Sequence, residues 1–265
     1  METVLYPFAG GNDGFDPRGD LIFDHAGNIY GTTADSEPYY GTVFQLTPSG
    51  AAWTKSILYS FTGAADGATP SARVIFDQAG NLYGTTGNGG YNGCNQGCGV
   101  VYQLTPSGSG WTENVLYAFQ GGSDGEYLRG GVIFDRSGNI YGGTYQGGSG
   151  GGGTVFELTP SDGTWSLGVL HGFSGQAGVN SNLAMDTAGN LYGATVDDGA
   201  FGNGSVFKLT PTGSGWTYTD LYDFTGSGDG QGPLGNVIVD ANGNIYGTTY
   251  LGGAYGYGVV WELRP

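Results

Sequence analysis

Five times along the chain the same ten-residue phrase returns: Asp-x-x-Gly-Asn-(Ile/Leu)-Tyr-Gly-x-Thr, at 24–33, 77–86, 135–144, 186–195 and 240–249. Its central glycines (Gly27, Gly80, Gly138, Gly189, Gly243) lie 53, 58, 51 and 54 residues apart. A period of this size marks a repeat architecture, in which each unit buries its apolar face against its neighbours. No other feature constrains the fold as much. Positions that obey the repeat belong to the scaffold, and those that break it are the candidates for function.

Between the copies, short runs of Val, Ile, Leu, Phe and Tyr alternate with glycine-rich turns, and no stretch carries a helical apolar period over ten residues. The 57 glycines and 14% aromatic residues therefore describe a turn-dense β protein rather than a low-complexity chain. Each repeat resolves into four strands. The first are expected at 21–24, 74–77, 132–135, 183–186 and 237–240, and the second at 28–33 and its copies. The third are expected at 41–47, 99–105, 153–159, 204–210 and 258–263, and the fourth at 53–61, 111–119, 165–173 and 216–224. The Asp-x-x-Gly turn joins the first two strands, Asp bonding its own turn and Gly taking positive φ. A Thr-Pro-Ser-Gly-type turn joins the last two.

Four antiparallel strands in about 50 residues is blade grammar, so the expectation is an all-β, five-bladed β-propeller spanning 1–265 as a single domain. The expected blades are 21–61, 74–119, 132–173, 183–224 and 237–263. The segment Val4-Leu5-Tyr6-Pro7-Phe8 matches the fourth-strand run Val115-Leu116-Tyr117-Ala118-Phe119, while the last repeat stops after its third strand. Residues 2–8 are therefore expected to complete the last blade, pairing 4–8 with 259–263 and burying Leu5.

The phrases Gly-Asn-Leu-Tyr-Gly-Thr-Thr, Gly-x-Val-Phe-x-Leu-Thr-Pro and Leu-Tyr-x-Phe-x-Gly resemble the bacterial tandem repeat known as GloVer, over all five copies. That resemblance implies an exported, often surface-anchored protein, located outside the cytoplasm. The family has no general assigned activity, so it supplies no catalytic residues. A looser similarity of Asp-x-x-Gly-Asn-Leu-Tyr to NHL and related propeller repeats bears on the fold only. No signal peptide or transmembrane run stands in the sequence, which enters repeat sequence directly after Met1-Glu2-Thr3.

The net charge of −16, from 23 acidic and 7 basic residues, makes nucleic acid and anionic membrane poor partners. In a propeller, the loops between strands two and three share a face with the blade-to-blade loops, and that face is the candidate site. The blade-to-blade loops carry Asp13-Gly14, Asp66-Gly67, Asp124-Gly125 and Asp229-Gly230, a pair that the fourth copy lacks. One Asp per loop suits turn chemistry better than calcium, which needs six to eight oxygens. No cofactor is expected. Positions just before the innermost strands differ between blades: Asp20, Arg73, Gly131, Asn182 and Asn236. With Arg18 and Arg129 they are expected to form a mixed polar ring, and the alternative is ordinary solvated lining.

The loops between strands two and three hold Asp35, Glu37, Tyr39, Tyr40, Asn88, Tyr91, Asn92, Tyr145, Gln146, Asp197, Asp198, Phe201, Tyr250, Tyr255 and Tyr257. Aromatic rings beside amides and carboxylates suit carbohydrate. The leading expectation is therefore a monomeric, exported, lectin-like propeller that contacts glycan through Asp20, Arg73, Asn182, Asn236, Tyr39, Tyr91, Tyr145 and Tyr250. A polysaccharide hydrolase or lyase is the alternative, with Asp20, Glu37, Asp197 and Asp198 as its carboxylates and Asp35 and Glu126 behind them. A structural or adhesive surface protein is the third reading. Cys94 and Cys98, the only cysteines, are expected to form a disulfide, as suits an exported protein. His25, in a scaffold turn, and His171, in place of a repeated tyrosine, belong to no recognisable triad or metal set.

Overall fold

The structure, a computed structural model, describes residues 2–35 and 40–264. It holds five separate antiparallel sheets in chain order, an all-β five-bladed propeller arrangement. The only helical element among the described residues is a 3-10 turn at Gly11–Asp13.

The chain divides into two compact units, 1–120 and 121–265. The first holds blade one, β1 (Ile22–Phe23), β2 (Ile29–Thr33), β3 (Thr42–Ser49) and β4 (Ala52–Ser60), and blade two, β5 (Ile75–Phe76), β6 (Leu82–Thr85), β7 (Val100–Ser107) and β8 (Gly110–Ala118). The second holds blade three, β9 (Ile133–Phe134), β10 (Ile140–Gly143), β11 (Thr154–Ser161) and β12 (Thr164–Gly172). Blade four follows with β13 (Ala184–Met185), β14 (Leu191–Thr195), β15 (Ser205–Thr212) and β16 (Gly215–Asp223). Blade five has three strands: β17 (Ile238–Val239), β18 (Ile245–Thr248) and β19 (Val260–Leu263).

The repeated phrase builds a hydrogen-bonded corner. Asp24 Oδ1 accepts from the Ala26 and Asn28 amides, both at 2.9 Å, and Oδ2 from Asn28 Nδ2 (2.7 Å) and the Tyr30 hydroxyl (3.0 Å). The same set recurs around Asp77, Asp135, Asp186 and Asp240. These bonds place the aspartate in the turn, so the innermost strands are two residues long rather than the expected four. The second glycine of the phrase serves packing. A Cβ at Gly142 would lie 2.6 Å from the tip of the Phe156 ring, and Gly31, Gly193 and Gly247 likewise clear Phe44, Phe207 and Trp261.

In blades one to four the third strands run past their expected ends and the fourth strands begin one residue sooner and end one residue sooner than expected, while β19 is shorter than expected. Pro48, Pro106, Pro160 and Pro211 stand inside strands, each opposite a tryptophan (Trp53, Trp111, Trp165, Trp216), and the turn shrinks to the residues beyond. Every one of these pairs also slips register, between Val43/Phe44, Val101/Tyr102, Val155/Phe156 and Val206/Phe207. A bulge of this kind re-aims the side chains beyond it. Phe61 thereby packs on Tyr102 of the next blade, ring centroids 5.0 Å apart, and Phe173 on Phe207 at 5.1 Å.

Residues 2–8 carry no strand, and Val4, Leu5 and Val260 are exposed. The expected burial of Leu5 is therefore absent from this structure. Tyr6 and Phe8 nevertheless behave as the end of a fourth strand. Phe8 packs on Phe44 at 5.2 Å, as Phe61 does on Tyr102, and Tyr6 and Phe8, with Trp53, pack against the cluster of Ile29, Phe44 and Leu46.

Candidate functional site

The blade-to-blade loops and the loops between second and third strands meet as expected, through short antiparallel bridges. The amides of Phe15, Ala68, Glu126 and Gln231 donate to the carbonyls of Asp35 (2.9 Å), Asn88 (2.7 Å), Gln146 (2.8 Å) and Leu251 (2.8 Å). Behind three of these bridges the aspartate of the Asp-Gly pair does structural work. Asp66 accepts from the Thr62 amide (2.8 Å), the Thr62 hydroxyl (2.6 Å) and the Tyr59 hydroxyl (3.1 Å). Asp229 repeats the pattern with Thr225 and Tyr222, and Asp13 with Ala9 and Tyr6. The following glycine takes φ 98° at Gly67, where a Cβ would lie 2.4 Å from the Thr86 hydroxyl, the last residue of the repeated phrase. These carboxylates are occupied by the turn.

The residues expected as a polar ring divide. Asn182 Oδ1 accepts from the Gly131 amide at 2.6 Å, and Asn236 Oδ1 accepts from the Asn182 amide at 2.9 Å. Asn182 is buried. These two side chains latch the starts of successive innermost strands to each other, so they serve the scaffold. Nearby, Gly130 lets two backbones touch, since a Cβ there would lie 2.2 Å from the Ser181 oxygen. In the first unit Gly19 approaches the Ala72–Arg73 backbone in the same way, which sets Asp20 beside that crossing. Arg73 keeps its Nε buried without a hydrogen-bond partner. Arg18 pairs with Asp16 at 2.5 Å.

Among the loop residues, Tyr39 and Glu37 lie outside the described residues. Tyr145 is half-buried, with the Arg129 guanidinium stacked on its ring at 3.6 Å, which covers one face of the aromatic. Tyr40, Tyr91, Phe201 and Tyr250 are exposed, and Tyr255 and Tyr257 are 89% and 90% exposed. All six stand on the loop between second and third strands of their blade. The disulfide Cys94–Cys98 is formed within the blade-two loop, beside Tyr91, whose backbone is pinned by a Gly89–Gly97 bridge.

The step from blade three to blade four departs from the others, and there the sequence reading missed a connection. Where the other copies have a tyrosine and an Asp-Gly, it has His171, at the end of β12, and no turn aspartate. Asp198, from the loop between β14 and β15, takes the missing place: it accepts from the Ser174 hydroxyl at 3.2 Å and the Gly175 amide at 3.1 Å. His171 stacks face to face on Tyr218, centroids 3.7 Å apart. Burial holds the imidazole below its usual range, against the pull of Asp198. Asp220 is pushed up by burial and by its hydrogen-bonded neighbour Asp223. Asp197 is pushed up by burial alone. The paired absence of tyrosine and aspartate in one copy was the available signal, since residues that bond each other lose their purpose together.

A family model for the Gloeobacter/Verrucomicrobia repeat matches residues 91–265. No curated protein matches the chain. Solved structures share the fold at low identity. One is a candidate 6-phosphogluconolactonase from Bacteroides uniformis, at 14% identity and TM-score 0.57, covering 92% of this chain and 67% of that one. Another is a polysaccharide lyase of family PL25, an ulvan lyase, at 14% identity and TM-score 0.55, with the same coverages of 92% and 67%. A third is a triple-arginine mutant of AofleA from Arthrobotrys oligospora, at 13% identity and TM-score 0.55, covering 100% of this chain and 76% of that one. Proteins this distant and this varied speak to architecture alone. Two thirds of the sequence, including the copies of the phrase at 135–144, 186–195 and 240–249, match the model, and the chain belongs to the Gloeobacter/Verrucomicrobia repeat family.

Proposed function

We propose that the protein is an exported glycan-binding module, its contacts made by the exposed aromatics on the loops between second and third strands. One observation carries this reading: Tyr250, Tyr255 and Tyr257 stand exposed on a single loop of blade five, with Leu251 between them. Exposed rings on a hydrogen-bonded backbone lose little entropy on meeting the C–H face of a sugar, and their hydroxyls remain available to polar partners. The loop is held by the Gln231–Leu251 bridge and by the bond from the Gly258 amide to Gly252 at 2.9 Å. Tyr91 beside the disulfide offers a second platform, and Asp20 and Arg73 are polar partners in the same reading. The disulfide supports an oxidising location.

A glycan array with the wild type and with Tyr250, Tyr255 and Tyr257 all changed to Ala tests the reading. The expected result is retention of one glycan class by the wild type and a loss of about tenfold or more in the variant, with an unchanged melting temperature. Equal binding by both proteins, or no glycan bound by the wild type, sinks it; the second outcome favours a structural or adhesive surface protein.

A polysaccharide-active enzyme is the second reading, favoured by Asp197, whose raised carboxyl pKa suits a general acid. Asp198 is the weaker member of that set because it caps the 174–175 turn. Reducing-sugar release that vanishes in Asp197→Asn would support it. Completion of the last blade by residues 4–8 belongs to the same proposal, resting on the sequence match to 115–119 and on the exposed Val260 of β19. Deleting residues 2–8 should then lower the melting temperature by more than the loss of Tyr6→Ala and Phe8→Ala together.

A further inference from the structure

One position on the fourth strand changes character from blade to blade. Opposite the repeated leucines Leu46, Leu104, Leu158 and Leu209 stand Lys55, Glu113, Leu167 and Tyr218. In blade one the Lys55 ammonium donates to Asp13 Oδ1 at 2.9 Å and to the Asp13 backbone oxygen. It sits 4.7 Å from the centre of the Phe8 ring and 5.5 Å from those of Tyr6 and Phe44. The side chain is almost wholly enclosed, at 3% exposure. Aspartate and ammonium neutralise each other inside an aromatic slot.

Blade two rebuilds the walls of that slot with the opposite occupant. Asp66 stands for Asp13, Tyr59 for Tyr6, Phe61 for Phe8 and Tyr102 for Phe44. The Tyr59 hydroxyl donates to Asp66 as Tyr6 donates to Asp13, and the Phe61–Tyr102 contact matches Phe8–Phe44. Glu113 fills the place of Lys55. Its Oε1 is buried with no hydrogen-bond partner, and the charge of Asp66 opposes its own. Two carboxyl groups meet where the neighbouring slot holds an ion pair.

We propose that the seam between blades one and two is a pH-sensitive lock, closed while Glu113 carries a proton and loosened when it ionises opposite Asp66. The titratable groups facing Glu113 are Asp66 and Tyr59 from the blade-one side and Tyr102 from β7, none of which supplies positive charge. Burial first and Asp66 second push the Glu113 carboxyl up to about 7, so the lock turns near neutral pH. Asp66 is held by its bonds to Thr62 and Tyr59, so the strain of ionisation falls on the packing of the seam. The loop that Asp66 caps bonds directly to the blade-two loop: Ala68 N to Asn88 O and Gly90 N to Ala64 O, both at 2.7 Å. Opening therefore reaches the backbone leading to Tyr91, whatever that loop binds.

The sign follows from the direction of the shift. A carboxyl raised in the folded state contributes stability that is complete below its unfolded value, roughly 4.3, and that is lost as pH rises through about 7. Thermal melts and amide exchange between about pH 5.5 and 8.5, on wild type, Glu113→Gln and Glu113→Lys, test the lock. Relative to Glu113→Gln, the wild type should lose roughly 2–4 °C across this range, with amides at 62–68 and 88–90 exchanging roughly tenfold faster at the upper end. Glu113→Lys restores the ammonium of blade one and should melt above wild type at the upper end. Parallel melting profiles for wild type and Glu113→Gln would overturn the proposal. Should Glu113→Lys fail to fold, the Gln comparison decides alone.

Discussion

The Tyr222 hydroxyl donates to Asp229 Oδ2 at 2.9 Å, and the same bond joins Tyr59 to Asp66 at 3.1 Å and Tyr6 to Asp13 at 2.8 Å. It ties the end of a fourth strand to the loop that enters the next blade. Where the tyrosine becomes His171 the aspartate is gone as well, and Asp198 caps the turn from another loop. A relationship invisible in either residue alone thus explains two departures from the repeat.

The first prediction follows from that bond. Asp229→Ala removes the acceptor for the Thr225 amide, the Thr225 hydroxyl and the Tyr222 hydroxyl. The cost should be about 1–2 kcal/mol, the lower part of the range for charged hydrogen bonds because the site is open to water. Tyr222→Phe should cost less, since two bonds survive. Urea unfolding of both variants is the measurement, and equal stability of Asp229→Ala and wild type would refute it.

Acid should unfold the protein in a defined window. Asp24, Asp77 and Asp186 are held below the usual carboxylate range against the cost of their burial, by bonds from the asparagine that follows, a tyrosine and the turn amide; Asp229 lies at about 2. Depressed folded values mean that their stabilisation is present above roughly 3.9 and is lost as pH falls towards about 2. A melting temperature that stays level down to that lower value would count against the hydrogen-bonded corners.

Gly142→Ala tests the packing role of the repeated phrase. The added methyl meets Phe156 at 2.6 Å in a strand buried along its length, and overpacking of this kind costs about 1–3 kcal/mol. Combining it with Phe156→Leu should recover part of the loss. Simple additivity of the two costs would show that the glycine is needed for another reason.

Asn182→Ala should destabilise without touching ligand binding. It leaves the Gly131 amide without its acceptor in a buried seam, at a cost of about 1–3 kcal/mol. The melt should fall while glycan retention, measured well below the melting temperature, stays the same. A specific loss of binding in a protein that remains folded would return Asn182 to the site.

Removing the disulfide by Cys94→Ser with Cys98→Ser should cost about 2 kcal/mol in the chain-entropy model for so short a loop. Amide exchange should quicken at 91–98 and leave the other blades unchanged.

The sequence by itself determined the repeat, the number of blades, the strand order, the hydrogen-bonding turn and the disulfide. Each of these is local or recurs five times, so spacing and residue type suffice: Asp24, Asn28 and Tyr30 lie within one hairpin. Strand ends were less legible, because Pro48 reads as turn chemistry until Trp53 is found opposite it. What only the tertiary structure decided lies between blades. Asn182 and Asn236 read in sequence as ligand contacts of a polar ring, because the backbone amides they bond stand 51 and 54 residues away. Nothing within one repeat marks Lys55 and Glu113, because Asp13 and Asp66, with the Tyr and Phe that wall each slot, come from the segment that precedes their own blade. A periodic sequence states what every unit must do alone; which side chains meet across a seam depends on register and stacking, which no single repeat contains.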